Sequence, residues 1–269
     1  MGRPRRALAK KLVISAASLC VAAALSGCAL LTGHSGSSSS ADPPAPATAH
    51  SAVRSAGFSF TVAGDRPVLP NGSQDTHAQT PGVTCDSATL ASDHALGGRI
   101  ARGFTLTGFP VGADLLTHFL QGKGTRVAFR AGSPISEEAL VSGAFQAVNN
   151  QVQAEILSQL KAGRTHVRLS AGQLPTVAFE SRASDLYWGF RGTQGLSVTG
   201  SGHRSHGRYT GALSYVIRDS YGFPVGDTLG GFGSPMRYLQ TACGAPQHRG
   251  GARWFPDTIT VTVPFSHPA

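Results

Sequence analysis

Between Thr32 and Gly57 the chain reads TGHSGSSSSADPPAPATAHSAVRSAG, and Val53 is its one large apolar residue. Such a stretch cannot bury enough surface to offset the entropy of ordering it. Residues 28–57 therefore read as a disordered tether, about 30 Å from end to end as a random coil. Whatever folds must do so from Phe58 onward. The 58–269 segment is long enough for one sizeable core, and neither an internal repeat nor a second linker divides it.

What precedes the tether is of a different kind. Arg3, Arg5, Arg6, Lys10 and Lys11 open the chain. An apolar run follows from Leu12 to Leu25, shorter than the ~20 residues a stable membrane span needs. Small residues, Ser26 and Gly27, come next, and the whole reads as a cleaved export signal over residues 1–27. Leu25-Ser26-Gly27-Cys28 resembles the lipobox of bacterial lipoproteins. That resemblance implies a diacylglyceryl thioether on the Cys28 sulfur and cleavage before Cys28. It also implies residence on the extracytoplasmic face of the cell membrane. Two or three acyl chains hold a protein at a bilayer where one is marginal, each buried CH₂ contributing about 0.8 kcal/mol.

Processing changes the charge. Five of the 23 Lys and Arg and none of the 14 Asp and Glu precede Cys28, so the formal +9 falls to +4. The cations are scattered and not interleaved with aromatics, so no nucleic-acid partner is expected. The expected partners are the membrane, through the lipid on Cys28, and a cell-wall or envelope protein. Two cysteines, Cys85 and Cys243, remain in an oxidising compartment, and they are expected to form a disulfide. Asn71-Gly72-Ser73 fits a glycosylation sequon, which carries little meaning in a bacterial lipoprotein.

Alternation of apolar residues predicts strands at 58–64, 99–109, 125–132, 165–170, 175–181 and 257–265, with a hairpin over 195–223. Residues 65–87 read as a loop-like approach that Cys85 would pin. A short helix is expected within 112–124. One long helix is expected over 133–163, capped by Ser133 and Pro134, with Leu140, Ala144, Val148, Val152, Ile156 and Leu160 recurring every four residues. A short aromatic helix or turn is expected at 184–192. Another helix is expected at 234–246, with Ser234 as cap and Pro235 in the first turn. Strands and helices do not alternate regularly. The expected fold is therefore α+β: a single domain with a mainly antiparallel sheet, packed by one long helix and shorter helices.

Catalytic patterns are scarce. The chain has no G-x-S-x-G, no H-E-x-x-H and no phosphate-cradling glycine loop. Ser158-Gln159-Leu160-Lys161 spells S-x-x-K, but at the C-terminal end of the long helix, where the dipole opposes a nucleophile. His203 and His206 form an H-x-x-H pair on a turn, short of the three or four ligands a firm metal site takes. No metal or other cofactor is expected. The chemistry-bearing stretch is YVIRDSYGFP at 215–224, an apolar strand ending in Asp219 and Tyr221. Arg237, Tyr238 and Gln240 on the following helix could approach it. Asp219 would then act as base, Tyr221 as hydrogen-bond donor and Arg237 as anion holder, unless Asp219 and Arg237 simply close on each other. Asp219-Ser220-Tyr221 is similar to the start of the Asp-x-Tyr-Asp stretch of colicin M-type toxins, which cleave a lipid-linked cell-wall precursor. Gly222 stands in place of the second acid, and the later His-Arg pair, His248-Arg249, lies far along the chain. The expected function is a lipid-anchored extracytoplasmic binding or assembly module. The alternative is a cell-envelope hydrolase with its site around Asp219 and Tyr221.

Overall fold

The hairpin over 195–223 is the spine of the molecule. In the computed structural model, which describes residues 58–68, 83–223, 231–244 and 250–269, it forms β4 (Gly195–Ser205) and β5 (Arg208–Tyr221). The two-residue turn places His206 at φ 48° and Gly207 at φ 70°. Both are left-handed, which is the turn whose twist matches that of antiparallel strands. β5 then pairs along its whole length with β6 (Phe255–Pro268), and β4 with β1 (Phe58–Arg66), all antiparallel. Two short parallel strands close the edges. β2 (Val127–Phe129) lies beside β6, and β3 (His166–Leu169) beside β1, giving the order β2-β6-β5-β4-β1-β3.

Period-two alternation separates the two faces of this sheet. Phe60, Val62, Leu196, Val198, Leu213, Tyr215, Ile217, Ile259, Val261, Val263 and Phe265 are buried on one face. The other face presents Ser59, Thr61, Thr199, Ser201, Thr262 and Pro264 to solvent. The buried face carries the helices. Gly202 lies opposite Gly211, and a Cβ on Gly202 would strike the Phe60 ring and the Thr210 carbonyl. Bare backbone there leaves room for the Phe60 ring.

Each helix has a readable start. α1 (Ser87–Leu106) is capped by Asp86, whose carboxylate accepts from the Thr89 amide at 2.7 Å. α2 (Pro110–Leu120) has no cap of its own. Asp185, far along the chain, accepts from the Val111 and Gly112 amides at 3.1 and 2.8 Å. α3 (Pro134–Val141) starts at Ser133, as expected, and α4 (Gly143–Lys161) at Ser142. α5 (Asp185–Phe190) is capped by Ser184, and α6 (Gly233–Thr241) follows Phe232. Cys85 and Cys243 are bonded, with Cα atoms 4.9 Å apart, so the start of α1 is fastened to the end of α6.

The α+β class and the mostly antiparallel sheet hold. Four local expectations do not. Residues 99–106 are the second half of α1, not a strand, because the Asp86 cap starts a helix well upstream of them. The helix expected over 133–163 is two helices. Ser142 sits at φ −67°, ψ 138°, gives its hydroxyl proton to the Ala139 carbonyl and accepts from the Phe145 amide, so it ends one helix and starts the next. Residues 175–181 form no strand. Val177 and Phe179 are buried, but Ala178 makes only an isolated bridge to Gly192. Finally, α6 begins at Gly233 without a side-chain cap, so Ser234 lies inside it. The export signal, Cys28, the tether, the Asn71 sequon and His248-Arg249 lie outside the described residues.

Candidate functional site

β5 and β6 bring two acids side by side. Asp219 is in register with Asp257, between the pairs Ile217–Ile259 and Tyr221–Phe255 on the helix-covered face. Asp219 is 7% exposed and Asp257 fully buried. Neither oxygen of Asp257 has a hydrogen-bond partner among the described residues. Burial pushes both carboxyls well above the ordinary range, and the Asp219 charge pushes Asp257 further; the Ser220 amide pulls Asp219 back a little. The pair therefore keeps a proton at a pH where an isolated carboxyl has lost it. Around it the wall is aromatic. Tyr221 stacks on Phe255 at 5.3 Å between centroids, His118 meets Phe255 edge-on at 4.5 Å, and Phe119 lies 6.1 Å from Tyr221. Paired carboxyls are suited to acid–base work; here both are buried.

The constellation expected from the sequence is assembled in part. Tyr221 shares a face with Asp219, and it too is buried, at 8% exposure. α6 does approach the end of β5: the Gln240 side-chain oxygen accepts from the Phe223 amide at 3.0 Å. Tyr238 goes elsewhere, donating to the Thr84 carbonyl and accepting from the Asp86 amide beside the disulfide. Among the described residues no ion pair joins Arg237 to Asp219. The ion pair on this strand is made by the neighbouring Arg218, on the opposite face, to Asp65 at 2.6 Å. His203 faces Thr210 across the hairpin at 3.2 Å, and His206 forms the turn. Ser158 and Lys161 end α4. Among the described residues no three His, Cys, Asp or Glu side chains gather as metal ligands, and no described helix is long and apolar enough to cross a membrane.

A concave surface among the described residues lies elsewhere. α1 and α2 pack closely, with Gly97 against Leu120 and Gly112 beside Phe104. Between them a groove of about 380 Å³ is lined by His94, Gly98, Arg102, Asp114, Thr117 and Gln121. The His94 ring is held by a hydrogen bond between Nε2 and the Leu120 carbonyl at 3.1 Å. Thr117 donates to the Ala113 carbonyl of its own helix. Sequence reasoning missed this site because half of α1 read as a strand. It missed Asp257 as well, although alternation in FPDTITVTV puts that acid on the face of Ile259 and Val261. The chain matches no known family model, no curated protein and no solved structure.

Proposed function

We propose that this chain is a lipid-anchored binding module on the extracytoplasmic face of a bacterial membrane, fastened through Cys28. The observation that carries binding over hydrolysis is where the polar groups lie. Asp219, Asp257 and Tyr221 are shut inside the core, whereas His94, Arg102, Asp114, Thr117 and Gln121 line an open groove. A groove of this size takes a small polar ligand or one residue of a larger one. The hydrolase alternative around Asp219 and Tyr221 would need the β5–β6 end of the core to open. The lipobox supports the anchor, and the disulfide suits an oxidising compartment.

Two measurements test this reading. Metabolic labelling with a fatty-acid analogue should mark the parent chain and not Cys28→Ala; equal labelling of both removes the anchor. Thermal-shift screening of purified envelope components should find one that raises the melting temperature of the parent but not of Gly98→Leu. That substitution fills the groove from a position whose Cβ meets nothing within 4 Å. The component should be recovered unaltered. Recovery of a cleaved product, lost in Asp219→Asn, would establish the hydrolase instead.

A further inference from the structure

One corner of the domain has a different chemistry from the rest. Where α1 turns into α2, Leu106 is 86% exposed, the most exposed large apolar side chain described. Gly108, at φ 88°, makes the turn, and Pro110 starts the next helix in solvent. Beneath the tip lie half-buried rings. Phe104 is 4.9 Å from Trp188 and 6.4 Å from Phe109, and Phe109 is 6.0 Å from Trp188. The indole N–H donates to the Arg182 carbonyl. Exposed arginines rim the cluster: Arg182 and Arg191 lie over the Tyr187 ring at 5.8 and 5.2 Å, and Arg102 is one turn back along α1. Asp185, which starts the helix that carries Trp188, is buried and already occupied by the α2 amides.

We propose that this corner rests on the anionic phospholipid surface to which the chain is anchored. Leu106 enters the acyl boundary, Phe109 and Trp188 lie at headgroup level, and the arginines meet phosphates. A protruding aliphatic tip over amphipathic rings with a guanidinium rim is the composition of an interfacial contact. The size argues the same way. One exposed leucine over rings that are themselves half-buried is a small apolar surface beside the ~800 Å² per partner of a stable protein interface. Such a contact is weak alone and serves a chain already held at the bilayer, where it competes at a high effective concentration. Length permits it. Twenty-nine residues separate Cys28 from Phe58, a contour of about 100 Å if extended. Phe58 enters the sheet beside the hairpin turn, opposite Arg204. The inference rests on the anchored reading for its setting, but its test does not depend on it.

The test places the full chain in vesicles of phosphatidylglycerol and phosphatidylcholine carrying a nitroxide near the headgroup. Trp188 reports contact, and subtracting the signal of Trp188→Phe removes Trp254. Trp188 emission should be quenched at least twofold, and Leu106→Glu should abolish the quenching. Because Leu106 is exposed, that variant should melt at the parent temperature. Vesicles of phosphatidylcholine alone, or the double variant Arg182→Glu/Arg191→Glu, should weaken quenching severalfold. Unquenched Trp188 in a chain that floats with the vesicles overturns the corner while leaving the anchor intact. Quenching that persists in a chain shown to carry no lipid on Cys28 removes the anchor and leaves the corner. A dimer in solution that Leu106→Glu dissociates would assign the surface to a second copy and overturn the proposal.

Discussion

A buried carboxyl whose oxygens feel no donor beyond their own backbone amide is unfavourable in any core, and here a second acid lies alongside it. Replacing either should therefore help the fold. With both native-state values raised above the unfolded range, the native state holds more protons than the unfolded chain once pH passes about 4. The pair's contribution to stability is thus greatest in acid and falls as pH rises, until both groups are ionised in the native state; the Asp86 cap, whose carboxyl lies below the ordinary range, works the other way. Asp257→Asn keeps the shape, removes one charge and supplies an N–H to the neighbouring carboxyl. It should raise unfolding free energy near neutral pH by about 1–3 kcal/mol and flatten the decline between pH 4 and pH 8, measured by urea melts across that range. A slope that Asp257→Asn leaves unaltered would mean the acids are partnered after all. Each acid was readable as inward-facing from alternation along its own strand. Their adjacency was not, because cross-strand register depends on which strands pair.

At the scale of elements, α1 shows where local pattern misleads. Ile100, Phe104 and Thr105 suit a strand, and the Gly97-Gly98 step discourages a helix. The helix wins because Asp86 caps it and because bare backbone at Gly97 admits Leu120, whose methyl carbons would lie 2.8–2.9 Å from a Cβ there. The two glycines should respond differently. Gly98→Ala puts a methyl into open space and should stabilise by about 0.5–1 kcal/mol through helix propensity. Gly97→Ala presses a methyl against Leu120 and Met236 and should fall below Gly98→Ala by 1 kcal/mol or more, a difference that paired chemical melts resolve. The break between α3 and α4 has a simpler origin. Ser142-Gly143 carries a cap inside an uninterrupted apolar period, so the period alone extends the helix through it. Ser142→Ala removes the hydrogen bonds at both helix ends and should cost about 1–2 kcal/mol. A loss under 0.3 kcal/mol would show the break to be held by packing of Phe145 and Ala139 instead.

The described residues form one sheet with helices on one face and exposed Ser and Thr on the other, with strands of three and four residues at its edges. β2 covers only Asp257–Ile259 of β6, and beyond it β6 has no second strand beside it among the described residues. Long antiparallel ladders, from Arg208 to Tyr221 against β6 and along β4, make the centre self-sufficient. The helical layer is held differently. α1 reaches the core through Gly97, Ala101 and partly buried Leu90, Ile100 and Phe104, and its start is tied down by the Cys85–Cys243 bond and by Tyr238 at Asp86. That bond closes a loop with a sequence separation of 158, for which loop entropy allows about 5 kcal/mol, an upper figure because the reduced chain is not a random coil. Cys85→Ser/Cys243→Ala should therefore lose 2–5 kcal/mol without losing the fold. The loss should also be uneven, because the bond joins two peripheral helices and no pair of strands. Amide exchange should speed up in α1 and α6 at denaturant concentrations where β4, β5 and β6 remain protected. If protection falls together across helices and strands, the bond acts on one cooperative unit and the division into a self-sufficient sheet and a fastened helical layer is wrong.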